Sequence, residues 1–121
     1  MTIKDAKKII SDNSNYEKNS FVYYLYEEGY FSIEKFWEYY DSIAALVGEK
    51  EKDAEITREI AQSYQNILKE FIWHFDPNDI ADIKNLPENY TDFIERLDFA
   101  LAAYYTNNTN LIDDDLFELK K

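Results

Sequence analysis

The 121-residue chain contains no cysteine, and it has only one histidine and one methionine. The absence of cysteine excludes disulfides, thiolate metal sites and cysteine-dependent catalysis. Long apolar runs are also missing: no segment approaches the ~18 residues needed to cross a membrane, and the first residues, MTIKDAKKII, lack the apolar centre of a signal peptide. These absences predict a soluble, cytoplasmic chain with no membrane partner.

Glycine and proline are scarce, with two of each, and no β-branched run alternates cleanly with polar residues. Helical periodicity of apolar residues extends over almost the whole chain instead. In the clearest example, apolar side chains recur at helical intervals from Ile33 to Val47. The chain is therefore predicted to be all-α, a compact irregular or orthogonal bundle of about six or seven helices that forms one acidic domain over residues 1–121.

Candidate capping residues divide this pattern into helices. Ser14 followed by Glu17 resembles a capping box, and Gly29 and Gly48 are candidate left-handed C-caps. Residues 76–79, Asp-Pro-Asn-Asp, form a favourable helix start. The predicted helices begin near Thr2, extend from Ser14 to Gly29 and from Ser32 to Gly48, follow the charged segment 49–53 up to Asp76, and then cover residues 76–85, 89–106 and 112–120.

Residue patterns for catalysis or metal binding are weak. His74 lies four residues after Glu70, close enough on a helix to share a ligand or a proton, but one histidine without thiolates cannot complete a zinc or di-iron site. The run from Asp113 to Asp115 lacks the spacing, the glycine and the glutamate of a calcium loop. Glycine-rich phosphate loops and nucleophile motifs are absent. We therefore expect a hydrogen-bonded or surface histidine, no metal, no cofactor and no catalysis.

The strongest global feature is the charge, because 25 acidic residues against 13 lysines and arginines leave a net charge of −12. The excess is uneven: residues 70–118 contain twelve acids, with Lys84 and Arg96 as their only bases. Such a field opposes binding to nucleic acid and to anionic membranes, and it favours a basic protein partner. Solubility alone is the competing explanation for the same composition.

Residues 21–42, FVYYLYEEGYFSIEKFWEYYDS, combine ten aromatic residues with five carboxylates. Phe36, Trp37 and Tyr40 fall on the apolar side of their predicted helix, so most of these rings are expected to be structural. Tyr39 falls on the polar side and is expected to be exposed. Exposed tyrosine beside carboxylates is typical of a protein interface.

Two acidic patches are predicted to bind a partner. The first comprises Glu34, Glu38, Tyr39 and Asp41. The second comprises Asp76, Asp79 and Asp82, with Asp113, Asp114, Asp115 and Glu118 alongside. Two further rings, Trp73 and Phe99, lie opposite the main apolar faces of their helices, and for these we expect a second buried face.

In its size, acidity, helical content and richness in tyrosine, asparagine and isoleucine, the chain resembles the immunity proteins of bacterial contact-dependent growth inhibition systems. The resemblance extends over the whole chain. It implies a cytosolic single domain, encoded beside a toxin, that binds a nuclease or another basic toxin domain and occludes its active site. The two patches come from this sequence alone.

Other interpretations stay open. A nucleic-acid mimic that inhibits a DNA-binding protein would need a regular double row of carboxylates, and Lys35, Lys50, Lys52 and Arg58 interrupt the acids. An acidic helical adaptor is a further alternative, and a helical enzyme or small-ligand domain would require an internal pocket with convergent polar groups. The sequence favours a non-catalytic inhibitor that acts by covering its partner's surface.

Overall fold

The computed structural model describes residues 1–121 and contains helices but no strand, which confirms the all-α prediction. Its α-helices are α1 (Ile3–Ser14), α2 (Phe21–Tyr23), α3 (Ile33–Ala45), α4 (Ala54–Phe75) and α5 (Tyr90–Thr106). A π-helical turn, Tyr24–Glu28, continues directly from α2, and two 3₁₀ turns, Thr109–Ile112 and Asp114–Leu116, follow α5. None of the helices combines the length and the apolarity required to cross a membrane.

The predicted count of six or seven helices is too high, because two short segments do not form α-helices. In the loop after α4, Asp76 accepts a hydrogen bond from the N–H of Asn78 at 2.9 Å. Asp79 accepts one from the N–H of Ala81 at 2.8 Å. Such local side-chain bonds compete with the helical backbone pattern, so the acids that favour a helix start here stabilise turns instead. The C-terminal segment likewise contains only 3₁₀ turns.

The helix predicted to begin at Ser14 begins later. Ser14 is buried in the last turn of α1, and the chain then adopts left-handed conformations at Tyr16 and Asn19, with φ of 54° and 73°. Ser20 is the actual N-cap, since its Oγ accepts a hydrogen bond from the N–H of Tyr23 at 3.1 Å. The irregular segment between α1 and α2 places Tyr16 against α4.

Aromatic rings from several segments form the centre of the core. The ring centroid of Phe36 on α3 lies 4.8 Å from that of Phe93 on α5 and 5.6 Å from that of Phe21 on α2. Phe31, between the π-helical turn and α3, lies 5.0 Å from Phe93. These edge-to-face pairs add about 0.5–1.5 kcal/mol each to the stability gained by burial. Because α1 packs against α3 and α4, and α3 against α5, the core is continuous across the bundle.

Tyr39 is wholly buried, so the prediction that it is exposed is wrong. Ser63 Oγ on α4 donates to the carbonyl of Ile60 at 2.9 Å, and it lies 2.5 Å from the Tyr39 hydroxyl, which therefore donates to it. The physical reason is that α3 is a central helix, packed against α1 on one side and α5 on another. The side of α3 that the sequence pattern assigns to solvent at Tyr39 therefore faces the core as well.

Trp73 and Phe99 are half-buried, so the expected second buried face is only partly present. The Phe99 ring packs edge to face against Phe117 in the C-terminal segment, with centroids 5.2 Å apart. Trp73 lies instead in the floor of a surface groove.

Candidate functional site

The largest concavity is an open groove of about 660 Å³ beside the π-helical turn. One wall is that turn and its end (residues 25–29), the floor is α4 at Glu70 and Trp73, and the other wall is residues 79–84. We call it the acidic groove, because five carboxylates and one lysine line it. π-helical turns are uncommon and occur frequently at functional sites, which makes this groove the first candidate.

Gly29 joins the two walls of the groove. It ends the π-helical turn in the left-handed conformation, with φ of 56°, as the sequence predicts. Its carbonyl accepts a hydrogen bond from the N–H of Lys84 at 2.8 Å. A Cβ at this position would lie 2.4 Å from the carbonyl oxygen of Asp82, so only glycine allows the walls to approach this closely. 

Two side chains fix the loop that forms the second wall. The Asn85 amide bonds both backbone groups of Phe31, accepting from the N–H at 2.7 Å and donating to the carbonyl at 3.0 Å. On α4, His74 Nδ1 accepts a hydrogen bond from the N–H of Ile83 at 2.9 Å. The irregular loop therefore has a defined position without being helical.

His74 is thus a hydrogen-bonded structural histidine, one of the two outcomes that the sequence predicts. Asp82 Oδ1 lies 3.2 Å from the same Nδ1 atom. Because Nδ1 accepts from Ile83, the proton of the neutral ring sits on Nε2, and an ion pair with Asp82 would require a second proton and the loss of the bond to Ile83.

Glu70 is the unusual group of the groove, because its residue is only 3% exposed. Its carboxylate receives one long hydrogen bond, from the Tyr16 hydroxyl to Oε2 at 3.4 Å, and no hydrogen bond reaches Oε1. Burial raises the pKa of Glu70 from 4.5 to about 7; the charge of Asp79 adds to the rise, whereas Tyr16 and Lys69 oppose it. Burial and the charge of Glu70 also raise the pKa of Tyr16, so that its hydroxyl keeps the proton it donates.

Apolar side chains stand among these acids. Ile80 is fully exposed, and Tyr26 is 57% exposed, with its ring packed edge to face on Tyr16 at a centroid distance of 5.3 Å. Ile72 and Phe75, on the last turns of α4, are also exposed. Apolar groups surrounded by carboxylates can bury area against a partner while the acids pair with its lysines and arginines.

The structure brings part of the second predicted patch into the groove. Asp79 and Asp82 line it, and Asp76 is exposed where α4 ends. The groove lining contains none of the C-terminal acids Asp113, Asp114, Asp115 and Glu118 that were expected alongside. 

Asp114 is already paired within the chain. The buried Arg96 guanidinium donates from Nη1 to Asp114 Oδ1 and to the Leu119 carbonyl, both at 2.9 Å, and from Nη2 to the Tyr40 hydroxyl at 3.0 Å. Asp113 accepts from the N–H of Asp115 at 3.0 Å. Arg96 on α5 therefore links the C-terminal segment, through Asp114 and Leu119, to Tyr40 on α3, whereas the bond of Asp113 is local. No three histidine, aspartate or glutamate side chains of the chain form a metal-binding group.

The first predicted patch is partly neutralised. On α3, Glu38 pairs with Lys35 at 3.2 Å, and Asp41 pairs with Lys121. Glu34 is exposed, whereas Tyr39 lies in the core. Without its aromatic member this patch is an ordinary charged helix face, and pairs of this kind contribute about 0–1 kcal/mol.

Sequence reasoning missed Tyr16, Tyr26 and the role of Glu70. The available signal was the position of Glu70, three residues after the buried Ile67 and directly before the buried Phe71. A carboxylate among core positions is rare unless it is paired or used.

Comparison with family models, with curated proteins and with solved structures found no match.

Proposed function

We propose that this chain is a non-catalytic inhibitor of the immunity-protein type, which binds a basic bacterial toxin domain, such as a nuclease, and covers its active site. One observation carries the proposal: exposed apolar side chains, Ile80 and Tyr26, stand among unpaired carboxylates on a surface whose backbone is fixed by hydrogen bonds. Such a surface offers both the steering charge and the contact area that binding a cationic protein requires.

Rigidity adds to this support. Both walls of the groove are held together through Gly29 and Asn85, so binding orders little additional chain. The cost of association falls when the interface is preorganised, and more of the contact energy then appears as affinity. Long-range attraction from a net charge of −12 would raise the association rate with a basic domain.

The composition of the groove favours a protein partner over mimicry of nucleic acid. A phosphate mimic presents regularly spaced acids, whereas here the fully exposed Ile80 lies between Asp79 and Asp82 in sequence. The proposal assigns no reaction to the groove, and it gives Glu70 and its bonded Tyr16 hydroxyl a part in binding alone.

Bacterial growth tests the proposal. The C-terminal domain of the protein encoded immediately upstream is expressed from an inducible promoter, with and without this chain. We expect that domain to be basic and toxic, and we expect this chain to restore growth. An upstream domain that is harmless, or toxicity that this chain does not relieve, would contradict the proposal.

A matched pair of variants links protection to the groove. Ile80→Asp places a carboxylate on the exposed apolar contact and should weaken binding of the toxin domain about tenfold or more. Ile3→Asp is the control, because Ile3 is also exposed and an acid at the first position of α1 suits the helix dipole. Equal protection by both variants would show that the groove is not the contact surface.

A further inference from the structure

We propose that the acidic groove receives an arginine side chain of the basic partner, with its guanidinium seated between the Glu70 carboxylate and the Trp73 ring. This inference rests on the proposed function and names the chemistry of the contact. Glu70 and Trp73 both lie on the α4 side of the groove, three residues apart on the same helix.

The unused hydrogen-bonding capacity of Glu70 carries the argument. Glu70 is only 3% exposed, it lines the groove, and its carboxylate has one hydrogen bond, from the Tyr16 hydroxyl at 3.4 Å, so Oε1 has no donor within the chain. Oε1 is not fully sealed from solvent, so it is open to a donor that enters the groove. Hydrogen bonds between charged partners are stronger than neutral ones, and a carboxylate in a largely desolvated position gains most from them. A cationic donor that enters the groove would supply such a bond to Oε1.

The charges around the groove select a cation. Glu27 and Glu28 lie on one wall, and Asp79 and Asp82 on the other, with Lys84 as the single base. A cleft lined by one sign of charge concentrates the field and raises the local concentration of the opposite charge. An anionic or neutral side chain would gain nothing from this field.

Aromatic surface favours arginine over lysine. Trp73 and Tyr26 both line the groove, and a planar guanidinium can stack on a ring while its N–H groups bond a carboxylate. The chain already holds one guanidinium in this way: Arg96 bonds Asp114 and lies 4.2 Å from the centroid of the Phe117 ring. The groove offers the same two groups, a carboxylate and an aromatic ring, to an arginine of the partner protein.

The raised pKa of Glu70 adds a measurable consequence. Near pH 7 this carboxyl group is protonated in a large fraction of molecules, because its pKa is about 7. A bound guanidinium favours the charged form, so arginine binding should release protons at that pH. Tyr16, Lys69 and Asp79 also act on this pKa.

The experiment uses the full chain and a small probe. N-acetyl-arginine amide is titrated into ¹⁵N-labelled protein, with N-acetyl-citrulline amide as the neutral isostere and N-acetyl-lysine amide as the second cation. We expect saturable shifts at the Trp73 indole and at the Gly29 and Asp82 amides. We also expect arginine amide to bind about tenfold more tightly than citrulline amide, and calorimetry in two buffers should detect the released protons.

Variants connect the binding to the named side chains. Glu70→Gln should abolish the preference for arginine amide over citrulline amide and the proton release. Trp73→Leu should weaken arginine binding about threefold to tenfold, and it keeps the test decisive if the glutamine variant is poorly folded. Glu51→Gln, at an exposed acid outside the groove lining, should bind as the wild type does.

Several outcomes would overturn the inference: equal binding of citrulline amide, tighter binding of lysine amide, or shifts spread evenly over the acidic surface. Groove shifts that depend on protein concentration without ligand would identify a second copy of the chain as the occupant instead. The titration needs no toxin, so a groove that rejects arginine amide leaves the growth test standing. Absent growth protection with intact arginine binding would contradict only the proposed function.

Discussion

At the scale of single residues, Glu70 illustrates what a sequence can and cannot predict. Its place between the buried Ile67 and Phe71 is visible in the helical pattern, and a carboxylate there signals a special environment. Its partner Tyr16 is 54 positions away, and the left-handed backbone that places this tyrosine against α4 has no marker in the sequence. The residue was therefore predictable, whereas the site was not.

Replacing Glu70 with glutamine should flatten the pH dependence of stability. Burial raises the pKa of this carboxyl group in the folded state from 4.5 to about 7, so the folded chain binds the proton more tightly than the unfolded chain does. Between those two pH values the free energy of unfolding falls as pH rises, and the loss is complete above about pH 7. Because the group faces an open groove, we expect about 2 kcal/mol rather than the full value for a sealed carboxylate. Urea denaturation of both proteins at about pH 5 and about pH 8 measures the difference.

Glu51→Gln is the control for this measurement, because Glu51 is exposed and lies outside the groove lining. It should keep the pH dependence of the wild type. If Glu70→Gln lost stability with pH as steeply as the wild type, Glu70 would not be the group that titrates, and the raised pKa would be wrong.

Tyr39 marks a different limit. Periodicity correctly assigns Phe36, Trp37 and Tyr40 to the core, and all three are buried. It assigns Tyr39 to solvent because it describes one apolar face per helix. The number of neighbours that surround α3 decides the outcome, and the small Ser63 on α4 supplies the buried hydrogen-bond partner. Neither the neighbours of α3 nor the position of Ser63 can be read from the sequence of α3 itself.

At the scale of elements, short-range capping signals were reliable only where no competing local bond existed. Thr2 and Ser32 cap α1 and α3, accepting from the N–H groups of Asp5 at 3.0 Å and Lys35 at 3.1 Å. The Asp-Pro-Asn-Asp segment failed as a helix start, because its aspartates bond backbone groups two residues ahead. Residues of this kind favour both helix starts and turns, and here the hydrogen bonds between Asn85 and Phe31 favour the loop.

Gly29→Ala should disrupt the groove as well as destabilise the chain. The new Cβ would lie 2.4 Å from the Asp82 carbonyl oxygen, which is backbone and cannot rotate away, so the loop must move. Gly48→Ala is the matched control, since Gly48 also has a positive φ, of 92°, but has open space at the Cβ position. We expect each variant to lose about 1 kcal/mol of unfolding free energy from backbone strain, and Gly29→Ala to lose about 1–3 kcal/mol more from the collision.

Thermal and urea denaturation measure these losses, and the arginine amide titration shows whether the groove persists. Gly48→Ala should retain the wild-type shifts at Trp73 and Asp82, whereas Gly29→Ala should lose them. Equal stability and equal titration curves for the two variants would mean that the contact between Gly29 and Asp82 does not define the groove.

At the scale of the whole molecule, composition determines the net charge but not where the charge remains unpaired. Lys35 pairs with Glu38, Lys121 with Asp41, and Arg96 with Asp114. The ion pairs of the structure include none of the groove acids Glu27, Glu28 and Asp79. Folding therefore neutralises part of the first predicted patch on α3, whereas Glu27, Glu28 and Asp79 of the acidic groove keep their charge without a basic partner.

The kinetics of association can separate the field of the whole molecule from the groove itself. Two triple variants change the net charge by the same amount. The groove variant combines Glu27→Lys, Glu28→Lys and Asp79→Lys; the α3 variant combines Glu34→Lys, Glu38→Lys and Asp41→Lys. Stopped-flow association with the proposed partner, the toxin domain of the growth experiment, is measured at about 0.02 M and about 0.5 M salt, because screening removes long-range steering at the higher concentration.

Both variants should associate more slowly than the wild type at low salt, because each reduces the attraction between the molecules. The groove variant should be slower than the α3 variant by about tenfold, and it alone should dissociate faster, since in the proposed complex only its substitutions lie at the contact. Equal effects of the two variants would mean that net charge acts without a specific docking site. An association rate that ignores both the substitutions and the salt would exclude electrostatic capture of a basic partner altogether.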